Sequence, residues 1–274
     1  MYRFPGIFLL LLLTAQLQAQ VNINTSPPRL YYNTAPGSSS RQHIMVANRS
    51  NKPLDLVISV NDWNYDSLGT NHFYDPGTLP ASCAGWITVT PGPYITLKPQ
   101  EETALTVTLK PPAGVDQTTI PVRMAMVFLT QLNPTAGPVA TKGAAVKVAL
   151  QIGTKIYHSF LEKNEPFVEI TNFTDLPTDT VKTTNRQNHL QLTVQNKGKG
   201  WVEGSIETEL FSKSTGKKMK LESIPFYSLP GDNRKVEILL PKQLESGNYT
   251  ATAVITYGKK EDPAIAELDF YLNK

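Results

Sequence analysis

The chain carries one cysteine, Cys83, in 274 residues. An internal disulfide is excluded, so apolar packing alone must hold the fold. Cys83 itself reads as a semi-buried loop residue. Missing too is any run of the ~20 apolar residues that a membrane span requires. The longest, Ile7–Leu13, falls well short and lies close to the start. No strong charge of either sign is present: 26 basic residues face 23 acidic ones, a net +3. That balance is no footprint for nucleic acid or an anionic membrane surface. Long stretches of 3.6-residue periodicity are lacking after the first 20 residues, so helices are not expected there.

Catalytic and metal signatures are equally sparse. His43, His72, His158 and His189 stand far apart with no ligand spacing, and each reads as a turn or surface residue. Asp62-Trp63-Asn64-Tyr65-Asp66 places oxygen ligands at alternate positions, but Ser67 stands where a calcium loop needs glycine. A strand end running into a hairpin turn is the preferred reading. The carboxylate pairs Glu101-Glu102 and Glu261-Asp262 sit in turns, where solvation explains them. No Gly-x-Ser-x-Gly elbow, phosphate loop or dinucleotide fingerprint occurs. The chain is read as non-enzymatic, with no metal and no cofactor.

What is present begins with a cleavable signal peptide over residues 1–19. Arg3 supplies the basic start, Ile7–Leu13 the apolar centre and Leu17-Gln18-Ala19 the cleavage site. The mature chain of about 255 residues is then exported, without a membrane span, and suits two domains. Twenty-one prolines and abundant Thr and Val point to an all-β protein with many turns. Strands are expected at Arg29–Tyr32, Gln42–Asn48, Leu54–Trp63, Trp86–Thr90, Tyr94–Leu97, Glu102–Lys110, Pro121–Gln131 and Ala145–Tyr157. A linker at 161–166, rich in charge and closed by Pro166, separates these from a second series. That series comprises Phe167–Ile170, His189–Gln195, Trp201–Phe211, Lys218–Ile224, Arg234–Leu240, Tyr249–Tyr257 and Ile265–Leu272. The fold class is two tandem immunoglobulin-like β-sandwiches, over residues 20–160 and 167–274.

Three pieces of the first domain carry a resemblance. They are Ser26-Pro27-Pro28-Arg29-Leu30-Tyr31-Tyr32, the run Pro80–Pro91 containing Gly85-Trp86-Ile87, and Val148-Ala149-Leu150-Gln151-Ile152-Gly153-Thr154-Lys155-Ile156-Tyr157. In this order they resemble periplasmic pilus chaperones of the PapD type. The second domain, with Gly247-Asn248-Tyr249-Thr250, is more similar to sandwich modules of Gram-positive surface proteins that bind cell-wall polymer. The first resemblance implies a periplasmic protein that binds an extended or C-terminal segment of an exported surface or fimbrial subunit by strand addition. An outer-membrane usher is implied as a further partner. The alternative is a structural or adhesion protein at the cell surface, binding cell-wall polymer or another surface protein.

The resemblance implies that Arg29 anchors the client's terminal carboxylate, with either Lys155 or Tyr157 as the second anchor. Val148, Leu150 and Ile152 would present alternate apolar side chains to the client. Two readings stay open for this file: it lines the domain's own core, or it is exposed at a sheet edge. They predict opposite burial for Leu150 and Ile152. Trp63, Tyr65, Phe73 and Tyr74 look exposed, and either stack on sugar or peptide or cap a sandwich end.

Overall fold

The structure, a computed structural model, describes residues 23–133, 135–136, 147–176, 188–258 and 261–273. The expected signal peptide lies outside the described residues, as do Ala145 and Val146. The first twelve strands are β1 (Ile23–Ser26), β2 (Arg29–Tyr32), β3 (Ser40–Asn48), β4 (Leu54–Tyr65), β5 (Asn71–Tyr74), β6 (Ile87–Thr90), β7 (Tyr94–Leu97), β8 (Glu102–Leu109), β9 (Val122–Gln131), β10 (Thr135–Ala136), β11 (Lys147–Val148) and β12 (Gln151–Ser159). After a strand-free stretch come β13 (Val168–Leu176), β14 (His189–Asn196), β15 (Val202–Ser212), β16 (Lys218–Lys220), β17 (Ile224–Ser228), β18 (Asn233–Leu239), β19 (Gly247–Tyr257) and β20 (Ala264–Leu272). Among the described residues, the one helical element is a single turn at Ala84–Trp86.

The protein is all-β, built as two sandwiches. The first packs a sheet ordered β1-β3-β8-β6 against a second ordered β2-β12-β9-β4-β5, with β7 also on β4. Alternation along each strand drives this pairing, because every second side chain faces the opposite sheet. Leu30, Ile44, Leu56, Leu105, Val127 and Ile156 meet in the shared core, each buried. Burying an aliphatic side chain of this size contributes roughly 1.5–3 kcal/mol. The second sandwich sets β13-β14-β18 against β16-β15-β19-β20, with β17 also on β15. Its core joins Leu190, Leu192, Val194, Ile206, Ala251 and Ile255.

A third apolar cluster lies on the outer face of the larger sheet. Trp63, Met124, Met126, Phe128 and Tyr157 pack there with Leu229 from the second sandwich. Strand β9 is thus covered on both faces, which is why Met124–Leu129 is continuously apolar rather than alternating.

Several expectations are corrected. The strand expected at Ala145–Tyr157 is broken at Ala149-Leu150, and its second part runs on to Ser159. Lys218–Ile224 is likewise two strands, β16 and β17, both paired with β15. Trp86 belongs to the helical turn rather than to β6, and strands β1 and β5 have no counterpart among the expected strands. Cys83 is fully buried at the start of that turn, and burial pushes its thiol pKa up. His158 and His189 are buried within strands, not turn or surface residues. His158 Nε2 contacts the backbone of Thr34, at 3.0 Å from its carbonyl oxygen.

Candidate functional site

Pro27 and Pro28 lack backbone N–H groups, so the first strand cannot continue its ladder through them. The chain changes sheets there: β1 pairs with β3, whereas β2 pairs in parallel with β12. The Pro28 carbonyl accepts from Lys155 N at 3.0 Å, and β2–β12 pairing covers Lys155–His158 only. On its other side β12 pairs with β9 over its whole length, Gln151–Ser159. Among the described residues, no strand pairs with the β2-side edge of Gln151–Thr154. Among the described residues this half-strand is left with one free sheet edge, the feature that accepts a further strand.

Ile152 and Leu150 are half-buried at the rim of the first core, against which both pack. Thr154 and Ile156, which continue the same file, are fully buried. The two readings of this file thus divide along it: the later members line the core, while the earlier ones cap its edge beside unpaired backbone. Val148 falls in β11, which pairs with β10 through Thr135.

The register of β2 and β12 sets Arg29 opposite Lys155, and Tyr31 opposite Tyr157. Period two then sends all four side chains to the outer face, toward the second sandwich. Lys155, not Tyr157, is the direct neighbour of Arg29. Tyr157 is buried, stacked on Tyr31 at 5.4 Å between ring centres and tilted against Trp201 at 5.1 Å. Its surroundings raise its pKa by desolvation, so it stays neutral.

Lys155 Nζ donates to Tyr65 Oη at 2.7 Å and lies 4.0 Å from the Trp63 ring centre and 4.3 Å from that of Tyr65. Burial, then the nearby Arg29 and Arg234 charges, pull its pKa down to about 7. Arg29 lies over the Tyr227 ring at 4.6 Å and forms an ion pair with Glu203 at 3.5 Å. Arg234 faces the ring of Tyr65 at 4.9 Å and donates to the Tyr227 carbonyl. Gly69, at φ +90°, lies against Arg234 so closely that a side chain there would collide with the guanidinium. Lys235 N also donates to the Ser67 carbonyl at 2.6 Å, fastening the β4–β5 hairpin to the second sandwich.

The cleft between the sandwiches therefore holds three basic side chains, Arg29, Lys155 and Arg234, in an aromatic setting at the end of the Gln151–Thr154 edge. Sequence reasoning finds Arg29 and Lys155 but misses Trp201, Glu203, Tyr227 and Arg234. No local motif marks those four, because their role depends on how the second sandwich sits. Trp63 is buried rather than exposed, and its indole N–H donates to the Ala125 carbonyl at 2.8 Å. Tyr65 and Tyr74 are half-buried, and Phe73 is exposed while packing edge-on against Phe128. The two carboxylates of the Asp62–Asp66 run are occupied internally. Asp62 accepts from Leu79 N and Ser82 Oγ, and Asp66 from Leu68 N and Thr70 N. Among the described residues, no group of His, Cys, Asp or Glu is placed to hold a metal ion, and no helix is long and apolar enough to cross a membrane.

No protein-family model matches the chain, and no curated protein matches it. Solved structures do align with it. A chaperone–tip adhesin complex of CFA/I fimbriae biogenesis aligns over 90% of this chain and 98% of its own, at 12% identity and a TM-score of 0.49. The CsuC–CsuE chaperone–tip adhesion subunit complex of Acinetobacter baumannii Csu pili covers 89% and 97%, at 15% identity and 0.46. The E. coli chaperone DraB covers 90% and 98%, at 18% identity and 0.45. Identities this low carry no residue roles across.

Proposed function

We propose that this protein is a periplasmic chaperone-like protein that binds extended, carboxyl-terminal segments of exported surface or fimbrial subunits by β-strand addition. The observation that carries this reading is the edge of Gln151–Thr154, unpaired among the described residues, running directly into the Arg29–Lys155 pair. An incoming strand gains backbone hydrogen bonds along that edge, while Leu150 and Ile152 offer apolar contact for its alternate side chains. Pro28 and β2 block further pairing, so the client chain ends where the cations stand. A guanidinium grips a terminal carboxylate through two parallel hydrogen bonds, and the lysine adds a point charge. Tyr157 serves as the aromatic floor behind Arg29 and Lys155. An outer-membrane usher is the proposed onward partner, to which the loaded subunit passes.

The test is co-purification from the envelope of the host cell. Wild-type protein should bring down a small β-rich subunit, and Arg29→Ala should lose it while remaining folded by circular dichroism. The backbone amides of Gln151 and Gly153, which point away from β9, should gain hydrogen-exchange protection in the complex. Retention of the same partner by Arg29→Ala, with no new protection on that edge, would defeat the reading. Cell-wall polymer binding indifferent to Arg29 would favour a passive envelope protein instead.

A further inference from the structure

Glu203, on β15 of the second sandwich, already occupies the neighbourhood of the proposed anchor. Its Oε1 accepts from Tyr31 Oη at 2.5 Å and stands 3.5 Å from Arg29 Nε. That nitrogen is buried and makes no hydrogen bond. The contact is therefore electrostatic but geometrically incomplete: one carboxylate oxygen is shared between a tyrosine and a guanidinium edge. A chain-terminal carboxylate arriving in the guanidinium plane can complete two hydrogen bonds that Glu203 does not. Glu203 also has somewhere to go, since its side chain remains 34% exposed.

Charges around it come from every packed element. Arg29 lies on β2, Lys155 on β12, Arg234 on β18, and Asp232 in the turn leading into β18. The hydroxyls of Tyr31, Tyr65, Tyr157 and Tyr227 border the same space. With Glu203 in place the cleft is partly neutralised. Its departure leaves the Arg29 and Arg234 guanidiniums, with Lys155 partly protonated near neutral pH, against Asp232, a field that favours an incoming carboxylate.

We infer that Glu203 is an internal competitor for the client's terminal carboxylate, a latch from the second sandwich that only a chain end with a free carboxylate displaces. The inference rests on the strand-addition reading and adds selectivity to it. A segment that pairs with the β12 edge but ends in an amide, or continues as chain, meets the latch without the charge needed to replace it. Binding thereby discriminates true chain ends from internal strands of other exported proteins.

The experiment compares two short synthetic peptides of alternating Val and Thr, one ending in a free carboxylate and one in an amide. Fluorescence anisotropy measures each with wild type, Glu203→Gln and Arg29→Ala. Gln retains an acceptor for Tyr31, so the cleft keeps its shape while losing the competing charge. Glu203→Gln should bind the acid peptide about tenfold tighter, the size of one charge-assisted hydrogen bond released from competition, with the amide peptide little changed. Arg29→Ala should erase the acid–amide difference. Wild type binding the acid peptide as well as or better than Glu203→Gln overturns the latch and makes Glu203 a positioning group for Arg29, leaving strand addition intact. Binding of neither peptide by wild type and Glu203→Gln alike overturns strand addition, and the latch with it.

Discussion

The two halves of β12 share β9 on one side and differ on the other. Lys155–His158 has β2 as a second partner and the second sandwich above it. Gln151–Thr154 has neither, although each half sets one isoleucine on the same core-facing file. The first half leaves Ile152 half-buried, and the second buries Ile156 completely. Hydrophobic patterning thus orients a strand, while its hydrogen-bonding partners determine whether its edge is finished. Pro27 and Pro28 mark the division, because they move the first strand from one sheet to the other just before Arg29.

This contrast can be broken most forcefully by truncation in the covered half. Ile156→Ala should cost about 2–5 kcal/mol through lost burial and an unfilled cavity. Ile152→Ala, at the rim, should cost about 1 kcal/mol yet weaken client binding more than Ile156→Ala weakens it in the folded fraction. Urea unfolding alongside co-purification separates the two effects. Equal destabilisation by both substitutions would mean that the open half is packed into the core no less firmly than the covered half.

A smaller effect is expected at the junction, from Lys155. Its pKa of about 7 lies below the ordinary 10.5. Between those values the unfolded chain holds a proton that the folded one lacks, so stability should rise as pH increases from about 7 toward 10. The rise is damped because the amine keeps part of its solvent contact. Lys155→Met should flatten it, as read by urea midpoints across that range. A bound carboxylate favours the protonated amine, so client affinity should fall over the same interval in wild type and lose that slope in Lys155→Met.

The least perturbing change lies on the open half. Gln151 is exposed and its side chain donates to Thr130 Oγ1 at 2.9 Å. Gln151→Ala should alter stability by less than about 0.5 kcal/mol in thermal melts. A larger loss would show that this edge is braced by side chains rather than left available.

Much of the architecture is legible in the sequence. Arg29–Tyr32 and Tyr94–Leu97 coincide with their strands, since turn residues bracket short β-branched or aromatic runs. Trp86 falls outside its expected strand because β-propensity ignores the turn that begins at buried Cys83. The short β1 and β5 escape notice, being too brief for alternation to show. His158 defies its surface reading because a histidine's burial depends on the partner it finds, here the Thr34 backbone. At the cleft, Arg29 and Lys155 can be singled out, but the ambiguity between Lys155 and Tyr157 needs a register. Glu203, Tyr227 and Arg234 look like ordinary strand residues.

By itself, then, the chain's order of residues determined an all-β protein and the face on which each strand side chain falls. Those properties follow from short-range sterics and a two-residue repeat, both written along the backbone. Tertiary structure alone decided that β2 pairs with only the second half of β12, that Arg29 sits across from Lys155, and that a glutamate from the other sandwich faces that arginine. Strand register and the seating of one sandwich on another are sums of many weak long-range contacts, and no local stretch of sequence contains them.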